Sequence, residues 1–257
     1  MTAVRMLLLA LLAFAPLSAA AEGEGEGPVR FPVSFETEDG FTLHGDLISA
    51  GSTQSPVAIL LHMYRQDRSS WSPLIPELVS KGITVLALDQ RTHGESTRKG
   101  DETVRVDDIP RGSFGEVLRA GPKDVAAARA YLAGHGFQVD RIALVGASYG
   151  CSVALLSADP VEGVVALVLL SPGTAYFGVD VTQPARDFGG SLLAVAAEDD
   201  GQSAQSARTL TNRRSATSEL SIFSKGGHGT RLFASQPRLV VEIREFLRQS
   251  FGMVPPG

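Results

Sequence analysis

The segment VGASYGCS, from Val145 to Ser152, places a serine between two glycines where an aliphatic run gives way to a helical pattern. Residues 146–150 read G-x-S-x-G, which is the motif of a serine on a sharp turn between a buried strand and a helix. Such a turn strains the serine backbone, and only tiny residues two positions away let strand and helix approach each other. Gly146 and Gly150 meet that requirement. Because ordinary glycine-rich bends carry the same motif, the interpretation of Ser148 depends on the rest of the chain.

Strand and helix patterns alternate on both sides of this segment. Continuous apolar runs are typical of strands covered on both faces, and an Asp39-Gly40 turn predicts an opening antiparallel hairpin. The strand patterns are VRFPVSFET, FTLHGDLIS, VAILLH, ITVLALD, RIALVGAS, VVALVLLSP, LLAVAAED and SELSIFSKG. The alternation predicts an α/β fold with a doubly wound, mainly parallel sheet of about eight strands and helices on both faces. Sites in such sheets lie outside the carboxyl ends of the strands, where Ser148 stands.

The first 28 residues differ in composition from the rest of the chain. Arg5, an apolar run and the small residues SAAAEG predict a secretory signal peptide over residues 1–21. Residues 22–28, EGEGEGP, predict a flexible acidic leader, and residues 29–257 a single domain. We therefore expect an exported protein, periplasmic or secreted, with no stable membrane insertion once the signal is removed.

Charge and cysteine content restrict the possible partners. The formal net charge is -5, and it becomes -6 when Arg5, the one charged residue of the signal, is removed. This balance argues against nucleic acid as a partner. Cys151 is the only cysteine, so no intrachain disulfide can form, and no cysteine and histidine cluster has metal-site spacing. We expect no metal and no cofactor.

Most of the chain, from about Phe31 to Leu247, resembles the α/β-hydrolase superfamily. The stretch LLHMYRQDRSSWSPLIPELVSKGITVLALDQRTHGES resembles the oxyanion loop, first helix and following strand of that family, and DQRTHGES corresponds to its D-x-R-G-H-G-x-S. Only PGTAYFGVDVTQPARDFGG joins the strands ending at Ser171 and starting at Ser191, which is too short for a cap domain. The compact, capless dienelactone-hydrolase-like group is the most similar, although its members commonly use cysteine where Ser148 stands.

A serine hydroxyl becomes a nucleophile when a histidine takes its proton and a carboxylate orients that histidine. In the family these residues follow the order Ser, acid, His, and His228 is the only histidine after Ser148. The acid follows the strand LLAVAA, where Glu198, Asp199 and Asp200 stand in succession. The family pattern G-x-x-D favours Asp200, with Asp199 second and Glu198 third. His62 and His93 match structural histidines of the family.

The resemblance also implies two backbone N–H donors for the oxyanion of an acyl-transfer intermediate. Tyr149, which follows the nucleophile, supplies one. Met63 is expected to supply the second, in a loop where many relatives carry glycine, and Tyr64 is expected to line the substrate site.

The longest irregular segment runs from Thr97 to Gly121, at the carboxyl end of a strand and therefore near the predicted site. It is interpreted as a solvated charged loop, with substrate contact as the alternative. The predicted function is an exported serine hydrolase that cleaves small-molecule or polymer-borne carboxylic esters through an acyl-enzyme. A catalytically silent binding module is the alternative from another class, and a peptide, thioester or lactone hydrolase would use the same residues.

Overall fold

A computed structural model describes residues 29–159, 162–212 and 217–253 of the chain. The predicted signal peptide (1–21) and leader (22–28) lie outside the described residues. Within the described ranges, no helix has the length and apolar character needed to cross a membrane.

One sheet of ten strands runs through the described chain. The strands are β1 (Phe31–Glu36), β2 (Phe41–Ile48), β3 (Val57–Leu61), β4 (Thr84–Asp89), β5 (Arg98–Lys99), β6 (Glu102–Thr103), β7 (Ile142–Ala147), β8 (Val164–Leu170), β9 (Ser191–Ala197) and β10 (Ser218–Phe223). Their order is β10-β9-β8-β7-β3-β4-β2-β5-β6, and β1 pairs with β2. Because β5 and β6 have only two residues each, eight strands carry the sheet, as the sequence predicted.

The central strands are parallel, and the chain reverses its direction of travel across the sheet at β3. From β4 through β3 and β7 to β10 every pairing is parallel, while β2 runs antiparallel to both β1 and β4. The chain goes from β3 to β4 on one side and later returns to β7 on the other side of β3. Ligands bind open α/β sheets at such a switch point, outside the carboxyl ends of the strands. Here that position lies between the ends of β3 and β7.

Helices cover both faces of the sheet, which confirms the predicted doubly wound fold. The helices are α1 (Ile75–Val79), α2 (Phe114–Gly134), α3 (Tyr149–Leu156), α4 (Thr182–Asp187), α5 (Gly201–Thr211), α6 (Leu232–Ser235) and α7 (Leu239–Ser250). Side chains of α2 to α5 pack with Leu144 on one face, and side chains of α1, α6 and α7 pack with Val145 on the other. Neighbouring residues of β7 thus face opposite layers, so a continuous apolar strand is what this fold requires.

The connection between β8 and β9 holds only a short helical turn and α4, so this described segment contains no cap domain, as the sequence predicted. The expected loop from Thr97 to Gly121 is wrong at its carboxyl end, because α2 begins at Phe114. Buried residues at 114, 118, 121, 125, 128 and 132 form one helical face, and Pro122 is accommodated inside the helix. Proline is typical of a helix start, which obscured these earlier turns.

Candidate active site

Ser148 stands alone between β7 and α3 with a strained backbone. Its φ of 50° and ψ of -113° are unfavourable for a residue with a side chain. A Cβ at Gly146 would lie 2.6 Å from the Cys151 nitrogen, and one at Gly150 would lie 2.7 Å from the His62 carbonyl oxygen. Strand and helix therefore approach so closely that only glycine fits at both positions.

His228 bridges Ser148 and Asp200. Its Nε2 lies 2.7 Å from the Ser148 Oγ, and its Nδ1 lies 2.6 Å from the Asp200 Oδ2. Ser148 follows β7, Asp200 follows β9 and His228 follows β10, so the carboxyl ends of parallel strands bring the three together. The serine hydroxyl can donate to Nε2 while Nδ1–H donates to the carboxylate, which is the arrangement that activates a serine.

The two neighbouring carboxylates point elsewhere. Asp199 accepts hydrogen bonds from the Gly226 nitrogen, at 3.1 Å, and the Gly227 nitrogen, at 3.3 Å. Glu198 forms an exposed ion pair with Arg208. Asp199 thus holds the loop before His228, and of the three acids left open by the sequence, Asp200 is the one that contacts the imidazole.

The amides of Met63 and Tyr149 lie at the end of β3 and in the first turn of α3. Helix N-terminal amides have no intrahelical acceptor, and neither amide donates a hydrogen bond within the described part of the chain. Both line the same cavity as Ser148. Two free N–H groups beside a nucleophile can stabilise an oxyanion.

His62 holds the Met63 peptide in place. Its Nε2 accepts from the Gln90 nitrogen at 3.1 Å, so its Nδ1 carries the proton and donates to the Met63 carbonyl at 2.9 Å. Burial lowers the pKa of His62 to about 4. The pKa of His93, whose ring lies 5.1 Å from that of His62, is also lowered to about 4, mainly by burial. Both rings are therefore neutral at neutral pH.

A cavity of about 370 Å³ opens beside Ser148 and has an aromatic wall. Tyr64 lines it, at the position expected from the sequence, with its ring 4.8 Å from Phe114 and 5.2 Å from Phe177. Tyr176 and Phe177, from the connection after β8, also line the cavity but were missed in the sequence analysis. Apart from the aromatic letters, that connection carries no motif that could have identified them.

Three arginines surround the cavity mouth, and its lining contains no carboxylate. Arg65 pairs with Asp107 at 2.9 Å, whereas Arg111 lies 5.8 Å over the Phe177 ring and Arg231 follows His228. Neither Arg111 nor Arg231 forms an ion pair with any residue that the structure describes. A protein with a net charge of -5 thus presents a positive entrance to its candidate site. The carboxyl end of the charged segment from Thr97 contributes one of these arginines.

Several known proteins are similar to this chain in sequence. A family model described as "Alpha/beta hydrolase family" matches residues 43–217. Epoxide hydrolase A of Mycobacterium tuberculosis is 36% identical over 121 residues, which are 47% of this chain and 34% of that protein. Epoxide hydrolase B of the same organism is 27% identical over 141 residues, which are 54% of this chain and 36% of that protein. The match thus spans about a third of the length of these curated relatives.

Solved structures share the fold over nearly the whole described chain. An esterase of Pyrococcus furiosus superposes with a TM-score of 0.68 at 20% identity, covering 88% of this chain and 92% of that one. A dienelactone hydrolase of Anabaena variabilis superposes with a TM-score of 0.66 at 15% identity, covering 90% of this chain and 100% of that one. At these identities the similarity is one of fold.

Proposed function

Because this chain belongs to the alpha/beta hydrolase family, we propose that it is a serine hydrolase that cleaves carboxylic esters through an acyl-enzyme on Ser148. The observation that carries the proposal is the continuous contact from Ser148 through His228 to Asp200, at 2.7 and 2.6 Å. The names of the esterase and the dienelactone hydrolase agree with ester chemistry. The epoxide hydrolases match over too little of their length to carry their reaction across.

In the proposed acylation, His228 Nε2 takes the Ser148 proton while the Oγ attacks the ester carbonyl carbon. The carbonyl oxygen becomes an oxyanion, which the amides of Met63 and Tyr149 stabilise. Asp200 stabilises the imidazolium. The C–O bond to the alcohol then breaks, and Nε2 returns the proton to the departing alkoxide.

In deacylation, His228 takes a proton from a water molecule, which attacks the acyl carbonyl of the Ser148 ester. The second oxyanion is stabilised by the same two amides. When this intermediate collapses, the C–O bond to Ser148 breaks and the carboxylic acid is released. Nε2 then gives the proton back to the Ser148 Oγ. His228 and the two amides thus perform the same task in both halves of the reaction, whereas Ser148 is the nucleophile in the first half and the leaving group in the second.

The positive cavity mouth favours esters that carry a negative charge near the bond to be cut. Arg111 and Arg231 have no carboxylate partner among the described residues and therefore remain available to a substrate carboxylate. Exposed charge pairs contribute about 0.2–1 kcal/mol each, so two arginines together favour an anionic ester by roughly 2- to 30-fold.

Reaction with a fluorophosphonate probe tests the proposed nucleophile. We expect the wild type to be labelled at Ser148 and the Ser148→Ala variant to remain unlabelled. Ser152→Ala, which removes the hydroxyl of a fully buried serine on the next turn of α3, is the matched control and should label normally. His228→Ala should lower ester turnover by several orders of magnitude while keeping the fold. An unlabelled, folded wild type would favour the silent binding module.

The charge preference has a separate test with paired substrates. The p-nitrophenyl monoester of succinate carries a carboxylate, whereas p-nitrophenyl butyrate has a similar acyl length and no charge. Replacing Arg111 and Arg231 together by Gln should lower kcat/KM for the succinate ester 2- to 30-fold and leave the butyrate value nearly unchanged. Arg186→Gln, at an exposed position on α4, is the control. Equal losses on both substrates would remove the charge preference but not the hydrolase.

We propose, from the composition of residues 1–21, that the protein is exported. Mass spectrometry of protein recovered from the periplasm or medium should find an N-terminus at Glu22. A chain retained in the cytoplasm with residues 1–21 intact would contradict this.

A further inference from the structure

Ser171 is a buried serine, directly after β8, in a conformation that serine rarely adopts. Its side chain is shielded from solvent and its φ is 51°. Among the described residues only five non-glycine residues have a positive φ, and Ser148 and Phe177, both at the candidate site, are two of them. Backbone strain of this kind persists where the surrounding contacts impose it, and it concentrates at functional sites.

Three hydrogen bonds impose the conformation of Ser171. Its nitrogen donates to the Val195 carbonyl of β9 at 2.7 Å. Its Oγ accepts from the Gly229 nitrogen at 2.8 Å, and its carbonyl oxygen accepts from the Tyr176 hydroxyl at 3.2 Å. One residue thus joins the sheet, the loop that carries His228 and an aromatic residue of the cavity wall.

The bond to Gly229 acts on His228 directly. The Gly229 N–H belongs to the peptide group that follows His228, so its orientation sets the direction of the His228 backbone. Gly229 has a φ of 61°, and a Cβ there would lie 2.5 Å from the Met63 Sδ. The Gly229 peptide therefore lies between the Met63 side chain and the Ser171 hydroxyl, and its N–H is held by the hydroxyl.

The second bond of Ser171, to Tyr176, acts on an aromatic residue that lines the cavity beside the nucleophile. A Cβ at Gly173 would lie 2.6 Å from the Tyr176 ring, so the ring packs directly on that glycine backbone. The Tyr176 hydroxyl faces the hydroxyls of Ser148 and Ser203 as well as the Ser171 carbonyl. Ser171 thus bonds both to Tyr176, which faces Ser148, and to the peptide that follows His228.

We propose that Ser171 is a positioning residue that keeps the His228 imidazole aligned with Ser148. The inference rests on the proposed hydrolase function, and it adds a residue that does not touch the substrate. Catalytic geometry is sensitive to displacements of about 1 Å, which lower rates by about 100-fold. Losing the Oγ acceptor leaves the Gly229 N–H without its partner and frees the peptide that orients His228.

Ser171→Gly tests this proposal because glycine adopts the same φ without strain and removes only the hydroxymethyl group. We expect kcat for p-nitrophenyl acetate to fall 10- to 100-fold with KM changed less than threefold. The rate of fluorophosphonate labelling should fall by the same factor. The downfield proton resonance of the hydrogen bond between His228 and Asp200 should broaden or shift, which a purely structural role would not cause.

Ser152→Ala is the control, since it removes a buried hydroxyl from α3 that has no hydrogen-bond partner in the described chain. It should keep the wild-type kcat. If the wild type reacts with the probe and a folded Ser171→Gly variant reacts equally fast, the positioning role is refuted and the proposed function stands. If the folded wild type does not react at all, the proposed function fails first.

Discussion

Replacing Asp200 by Asn removes the negative charge that faces His228 while keeping the size of the side chain. In the proposed reaction His228 becomes an imidazolium, and its Nδ1 lies 2.6 Å from the Asp200 Oδ2. Two unit charges about 4 Å apart interact with roughly 4 kcal/mol at an effective dielectric constant of about 20. The Asp200 side chain is 18% exposed and the His228 side chain is 36% exposed, so solvent screening reduces this interaction energy to about 3 kcal/mol. Because 1.36 kcal/mol corresponds to a factor of ten, kcat should fall roughly 100- to 1,000-fold.

The two preceding carboxylates provide matched controls for this substitution. An amide oxygen at position 199 can still accept from Gly226 and Gly227, so Asp199→Asn should lower kcat less than tenfold. Its free energy of unfolding should fall by about 1 kcal/mol, the difference between a charged and a neutral acceptor. Glu198→Gln removes only an exposed pair with Arg208 and should change neither quantity measurably.

Steady-state hydrolysis of p-nitrophenyl acetate gives kcat for the three variants, and thermal unfolding shows that each is folded. The expected order of kcat loss is Asp200, then Asp199, then Glu198. A larger loss at Asp199 than at Asp200 would show that the acid acting in solution is one residue earlier. Wild-type turnover in Asp200→Asn would refute the assignment of a charge-stabilised imidazolium to this site.

Two further predictions concern stability. Gly150→Ala should lower the free energy of unfolding by about 1–3 kcal/mol and abolish turnover, because the added Cβ would lie 2.7 Å from the His62 carbonyl oxygen. An unchanged melting temperature would contradict the tight contact between α3 and the end of β3. The free energy of unfolding should also be highest above pH 6.5 and decrease towards pH 4. His62 and His93 have pKa values of about 4 in the folded protein and about 6.5 in the unfolded chain, so between these pH values protons bind mainly to the unfolded chain and favour it. The free energy of unfolding in urea should be roughly 4 kcal/mol lower at pH 5.0 than at pH 7.5, and equal stabilities would show that these rings are not buried as neutral groups.

The sequence by itself determined the fold and the turn at Ser148, because both arise from local patterns. Continuous apolar runs alternate with helical spacing, and this periodicity leaves few architectures besides a doubly wound sheet. The turn needs glycine two residues before and after Ser148, and those requirements lie within five consecutive letters. The sequence also identified His228 as the partner of Ser148, because it is the only histidine after that serine.

The tertiary structure alone decided which of three adjacent carboxylates faces His228 and where α2 begins. It also decided that Tyr176, Arg111 and Arg231 line the cavity beside Ser148, and that Ser171 accepts a hydrogen bond from the peptide after His228. The backbone dihedral angles of a loop decide where each of its side chains points, and the sequence pattern does not specify those angles. The side chains around Ser148 come from segments that lie between Met63 and Arg231 in the chain, and they meet only because parallel strands end at one edge of the sheet. Contacts of this kind depend on how loops pack against each other, which is a property of the assembled fold.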